Sequence, residues 1–195
     1  TAVLLLNAGN LGVPGTDREI HLRIGGVLLH LGIEVDIQIV CQRNAGTGHG
    51  IVSKDDLVIT GGTYNIAAAD HGLSAKDSIR IADGSFTIVS GKDGIHAENS
   101  DDEALGFVYI AGGDFDITAQ GDGISAGYYL MIDNGSYDIT TEGTGSDDSA
   151  KGLKAAGNLI VNDGTFTINT TDDGLHSNSD MSINGGSFTI ATGDD

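Results

Sequence analysis

The sequence predicts an all-β fold, a right-handed parallel β-helix (β-solenoid) with about 22 residues per coil and three short strands in each. Three observations carry that prediction. The chain repeats itself at a short period, apolar and polar residues alternate within every repeat, and the breaks hold glycine, with 31 glycines to one proline in 195 residues. Helix is disfavoured because the apolar period is 2 throughout and β-branched residues and glycine crowd each unit.

The repeat is plain once the chain is aligned with itself. "HGIVSKDDLVITGGTYNI" at 49 to 66 matches "HGLSAKDSIRIADGSFTI" at 71 to 88, and the frame returns as "DGIHA", "DGISA", "KGLKA" and "DGLHS". The frame glycines Gly50, Gly72, Gly94, Gly123, Gly152 and Gly174 are separated by 22, 22, 29, 29 and 22 residues. Two units therefore carry insertions of seven.

Taken in order, residues 1 to 44 stand outside the frame. "EIHLRI" there predicts a short strand. "VLLHLGIEVDIQIV", alternating through Leu29, Leu31, Ile33, Val35, Ile37 and Ile39, predicts one long strand or two joined ones. The segment reads as irregular first coils or a cap. From 45 to 195 each unit supplies a first strand of the form Gly-Ile/Leu-x-small. A second strand follows as an apolar-x-apolar triplet such as Ile79-Arg80-Ile81, then a third as an aromatic-x-Ile triplet after a glycine turn. Parallel stacking at about 4.8 Å aligns Tyr64, Phe86, Phe115, Tyr137, Phe166 and Phe188 as one internal column. The ladders Ile51, Leu73, Ile95, Ile124, Leu153, Leu175 and Ile66, Ile88, Ile117, Ile139, Ile168, Ile190 run beside it. The sequence closes on Asp194-Asp195 where the frame calls for another glycine, so the repeat is expected to continue in a longer solenoid.

Composition excludes several functions. The formal net charge of −19, from 28 Asp and Glu against 9 Lys and Arg with no basic block, sets nucleic acid aside as a partner. Alternating apolar residues, at 39% hydrophobic content, set aside a disordered acidic tail. A single cysteine, Cys41, allows neither an internal disulfide nor a Cys-rich zinc site. No apolar run of about 18 residues is present to span a bilayer, and "TAVLLL" lacks the basic flank of a signal peptide, so an exported chain is expected to have lost its signal.

Stacking also places the acids. The residues before the frame glycines form a column: His49, His71, Asp93, Asp122, Lys151, Asp173. Asp93 and Asp122 then lie one strand spacing apart, where two carboxylates repel unless a proton or cation intervenes. Calcium resolves the conflict, because it takes six to eight oxygen ligands from carboxylates, amides, carbonyls and water. Glu98, Asn99, Asp101 and Asp102, leaving the first strand of that unit, are candidates to complete the site. Asp172 and Asp173 precede Asp194 and Asp195 by 22 residues, which predicts four converging carboxylates. Against a metal stand Lys151, between Asp122 and Asp173, and the preference of Asp for Asx turns before glycine. His49, His71, His96 and His176, with His49 and His71 neighbours on successive coils, show no tetrahedral ligand spacing and read as surface residues in preference to a two-His transition-metal site.

"GIVSKDDLVITGGTYNI", "DGIHAEN", "GDGISA", "KGLKA", "DDGLHSN" and "INGGSFTIATGDD", taken in order over 45 to 195, resemble the secreted calcium-binding parallel β-helix family of carbohydrate-binding domain proteins from Gram-positive plant-biomass degraders. The resemblance implies an extracellular, non-catalytic module with calcium between coils and affinity for polygalacturonate and cellulose-like polysaccharide. Carried over by position, Asp93, Asp122, Asp173, Asp172 and Asp194 match the acidic residues around the family's metals. Residues 1 to 44 match little beyond "VLLLNAGNL".

A protein this acidic repels a polyuronate unless calcium bridges the two or a local basic spot receives it. Lys151 and Lys154 form a modest one. Tyr109 and Met131, outward on adjacent middle strands, with Tyr128 and Tyr129 beside them, are candidate platforms for sugar rings. Two rival classes remain. A calcium-dependent lyase needs an Arg or Lys base beside the acids, yet Arg18, Arg23, Arg43 and Arg80 all lie outside the Asp columns. A structural protein would use exposed strand edges to assemble end to end into filaments.

Overall fold

The computed structural model describes residues 2–6, 35–40, 48–102, 104–143 and 149–193. All regular structure there is β, in three parallel sheets that wind as a β-solenoid. The first sheet stacks Ile51–Ser53, Leu73–Ala75, Ile95–Ala97, Ile124–Ala126, Leu153–Ala155 and Leu175–Ser177. In the second lie Leu57–Ile59, Ser78–Ile81, Phe107–Ile110, Leu130–Ile132, Leu159–Val161 and Met181–Ile183. The third is longer, running from Thr63–Ala68 through Ser85–Ser90, Asp114–Ala119, Ser136–Thr141 and Thr165–Thr170 to Ser187–Thr192.

Two strands of the first 44 residues extend this third sheet. Val35–Val40, the end of the alternating run, pairs with Thr63–Ala68, and Ala2–Leu6, which the frame did not predict, pairs with Val35–Val40. Cys41, "EIHLRI" and the start of the alternating run lie outside the described residues.

Register follows the apolar pattern, because a slip of one residue would turn every core side chain outward. Phe86 pairs with Phe115, Phe115 with Tyr137, and Tyr137 with Phe166. The six aromatic rings stack with centroids 4.5 to 4.9 Å apart and planes within 5°. Tyrosine is tolerated in this dry column because the Tyr64 and Tyr137 hydroxyls each donate to a turn carbonyl, of Gly61 and Asn134, at 2.9 Å. On the last described coil Met181, Ile183 and Ile190 are exposed, since nothing among the described residues covers that face.

The frame glycine marks where the first sheet presses closest on the core. A Cβ on Gly123 would lie 2.4 Å from Ile139 Cγ2 and 2.6 Å from the Gly152 carbonyl oxygen of the next coil. The first insertion leaves the solenoid at Asn99, whose side-chain oxygen accepts the N–H groups of Asp101 and Asp102 at 3.0 and 3.2 Å. It re-enters at Gly106, where φ is +66° and a Cβ would strike the Asn99 carbonyl.

Candidate functional site

The residue before each frame glycine sits at the corner where one coil passes into its next first strand. Side chains of the neighbouring coil answer its backbone N–H. His71 Nδ1 accepts from Asp93 N–H at 3.2 Å, Asp93 Oδ1 from Asp122 N–H at 2.8 Å, and Asp122 Oδ1 from Lys151 N–H at 2.9 Å. An ammonium cannot accept, so after Lys151 the ladder changes partner. Asp172 Oδ1 takes the N–H of Asp173 at 2.9 Å, just as Asp70 Oδ1 takes that of His71 at 3.0 Å. This gives the doubled Asp172-Asp173 a structural reason.

The remaining carboxylate oxygens meet lysine ammonium groups and other polar groups of the chain itself. Asp122, 2% exposed, lies 2.9 Å from Lys154 Nζ and also accepts the Ser149 hydroxyl at 2.6 Å. Lys151 Nζ reaches Asp172 and Asp173 at 2.7 Å each, and Asp173 meets His176 Nδ1 at 2.7 Å. Buried Asp70 holds Lys92 at 3.0 Å. The Lys151 ammonium holds Asp172 below the ordinary carboxylate pKa. Burial works against the charges of Lys151, Asp93 and Asp70. Their partners outweigh it, so Lys151 is raised and both aspartates are lowered.

Asp93 and Asp122 are thus joined through a backbone N–H rather than carboxylate to carboxylate. Glu98 reaches Lys76 at 3.5 Å, and Asn99 Nδ2 donates to Asp77 at 3.0 Å. Asp101 and Asp102 are exposed on the insertion turn, and Asp194 and Asp195 lie outside the described residues. Of the sugar candidates, Lys151 and Lys154 are held in the pairs above. Tyr109 stands on the outer face of the second sheet between Arg80 and Met131, its hydroxyl donating to Asp133. Tyr129 stacks on Phe107 at 4.8 Å, with half-buried Tyr128 before it in the chain. Arg80 lies over the same Phe107 ring at 4.6 Å and 3.7 Å from Asp56, on the second sheet.

His49 and His71 are neighbours, as the spacing predicts, and the structure adds His96 to them as a stack. Ring centroids are 5.4 Å apart from His49 to His71 and 4.3 Å from His71 to His96, with planes within 8°. The stack changes column on the way, because Asp93 occupies the corner after His71, and His96, three residues on, folds back to Asp93 Oδ2 at 2.8 Å. The 22-residue spacing of His49 and His71, with the "DGIH" run, was the available signal. Burial and the neighbouring His96 push the His71 pKa down to about 4, against the opposing pull of Asp93 and Asp70. Two groups of three potential metal ligands occur among the described residues: His49, Asp70, His71 and His71, Asp93, His96, each with donor atoms within 4.8 Å of one another. Both combine imidazole with carboxylate. Of the calcium ligands read from the sequence, only Asp93 belongs to either.

His49, Asp70, His71 and His96 line a groove of about 400 Å³ beside the first sheet, together with Lys54, Lys76 and Lys92. A repeat scaffold presenting a polar groove has the form of a solenoid binding protein. The chain belongs to the carbohydrate-binding domain-containing protein family, which matches residues 42–195 and so spans the whole repeat region. Its ligand class is carbohydrate. Neither the curated proteins nor the solved structures yield a match.

Proposed function

We propose that the chain is an extracellular, non-catalytic module for acidic plant polysaccharide of the polygalacturonate type, with cellulose-like glucan as a second ligand and calcium as a bridge to the polymer. The observation that carries this reading is the distribution of cations. Three of the five lysines, Lys54, Lys76 and Lys92, line this groove, against the two carboxylates Asp70 and Glu98. In a chain of net charge −19 this is where, among the described residues, a polyanion meets least repulsion. Exposure separates these lysines from the rest: the side chains of Lys76 and Lys92 are 50% and 58% exposed, those of Lys151 and Lys154 13% and 28%.

A glucan has no charge to offer and needs flat apolar surface instead. Tyr109, Met131 and Ile160 form a half-exposed strip along the outer face of the second sheet, suited to the apolar faces of sugar rings. We assign calcium to Asp101 and Asp102, a reading supported by their exposure to solvent, where a cation could be shared with uronates.

The test is retention on insoluble pectate and on cellulose, with and without chelator and at low and high salt. Pectate retention is expected to fall with chelator and with salt, and to be lost when Lys54, Lys76 and Lys92 are all replaced by Glu. Tyr109→Ala is expected to weaken retention on cellulose only. Pectate retention that survives the triple reversal would reject the groove. Failure to bind either polymer, with filaments in the electron microscope, would favour a structural role.

A further inference from the structure

The imidazole stack carries a chemistry that sugar binding does not use. We propose that His71, Asp93 and His96 form a site for a borderline divalent transition ion of the zinc, copper or nickel class, with water in the remaining positions. The donors stand close to ligand spacing, all within 4.8 Å of one another, and an ion would take the His71 Nδ1 lone pair that now accepts the Asp93 N–H at 3.2 Å. Asp93 Oδ2 is 2.8 Å from His96 Nδ1 and 3.4 Å from His71 Nδ1. With metal–ligand bonds of roughly 2.0–2.1 Å, tetrahedral donors sit roughly 3.3 Å apart.

The donor set selects the ion. Two imidazole nitrogens with one carboxylate oxygen suit zinc, copper or nickel, whereas calcium asks for six to eight oxygens. Surrounding contacts hold the ligands in place. The other oxygen of Asp93 is occupied by the Asp122 N–H at 2.8 Å, and the far nitrogen of His71 faces Asp70 at 3.4 Å, the carboxylate–histidine arrangement that orients metal-bound imidazoles. His71, Asp93 and His96 side chains are 13%, 13% and 23% exposed, and His71 and His96 line the groove. The alternative trio through Asp70 is weaker, because Lys92 already occupies that carboxylate at 3.0 Å. His176 repeats the local motif with Asp173, but Lys151 shares that carboxylate and the cross-coil neighbour of His176 is Lys154. It serves as the internal control. Since the His71 and His96 planes lie 8° from parallel, loading must open the stack, and this provides a spectroscopic signature.

The experiment is calorimetric titration of metal-stripped protein with zinc chloride, together with imidazole nitrogen NMR of the wild type. One equivalent is expected to bind at this site, His96→Ala to lower that affinity at least about tenfold, and His176→Ala to leave it unchanged. Calcium chloride in excess is expected not to displace the zinc. In the wild type the His71 and His96 ring signals are expected to move on zinc addition while those of His176 stay. That measurement decides the question even where His96→Ala fails to fold. An unchanged affinity in a folded His96→Ala, shifts confined to other histidines, or ready displacement by calcium would overturn the site.

Discussion

Asp122 holds two consecutive functions in one carboxylate: Oδ1 accepts the backbone N–H of Lys151 and Oδ2 meets the ammonium of Lys154, each at 2.9 Å. At 2% exposure it is an ion the solvent barely reaches. An internal cation therefore stands where repulsion within the acid column invited a metal.

Removing that carboxylate strands a lysine and a backbone donor together. Asp122→Ala is expected to cost about 3–5 kcal/mol, and Asp122→Asn less, because the amide oxygen still accepts the Lys151 N–H. Asp138→Ala, on the exposed outer face of the third sheet, is expected to stay within about 0.5 kcal/mol of wild type. Urea denaturation measures all three.

Phe115 stacks between Phe86 and Tyr137, at 4.7 and 4.9 Å, in the middle of the aromatic column. Phe115→Ala is expected to cost about 3–5 kcal/mol. Thr167→Ala changes an exposed side chain of the same sheet and is expected to be nearly silent. Equal effects on the denaturation midpoint would mean that the inward and outward faces are exchanged.

The repeat glycine answers to the neighbouring coil. Gly123→Ala would bring a methyl to 2.6 Å from a backbone oxygen that cannot rotate away, and is expected to cost at least about 1–3 kcal/mol as the coils are forced apart. Gly112→Ala meets only the Ala82 oxygen at 3.8 Å, an ordinary contact, and is expected to be tolerated. Thermal unfolding of the pair separates crowding from loss of glycine as such.

Acid should destabilise the histidine stack before it reaches the carboxylates. His71 has a folded pKa of about 4, below the ordinary value of 6.5. As pH falls below 6.5 the unfolded chain takes up a proton that the folded chain refuses, so stability is lost down to about pH 4 and then levels for this group. The loss is expected to be on the order of 3 kcal/mol, and His71→Gln is expected to remove most of it. A stability profile flat between pH 7 and 5 would mean that His71 titrates normally. The lowered pKa values of Asp70, Asp93 and Asp172 act below that window, their stabilisation being lost as pH falls through the carboxylate range.

Much of the fold was legible because a parallel stack needs the same residue type at each level. The 22-residue frame, the column from Tyr64 to Phe188 and the outward slots of Tyr109 and Asp138 all follow from period 2 within a unit and identity between units. Ala2–Leu6 was missed because an unbroken apolar run outside the repeat has no partner to match.

The sequence by itself determined the solenoid, its core columns and the corner positions of Asp93, Asp122 and Asp173, since these depend only on spacing along the chain. Tertiary structure alone decided what those acids touch. Lys154 bends from its own strand back to Asp122 on the preceding coil, and His96 leaves its column to stack on His71. Such choices rest on side-chain direction and on which buried N–H still needs an acceptor, and repeat spacing carries neither.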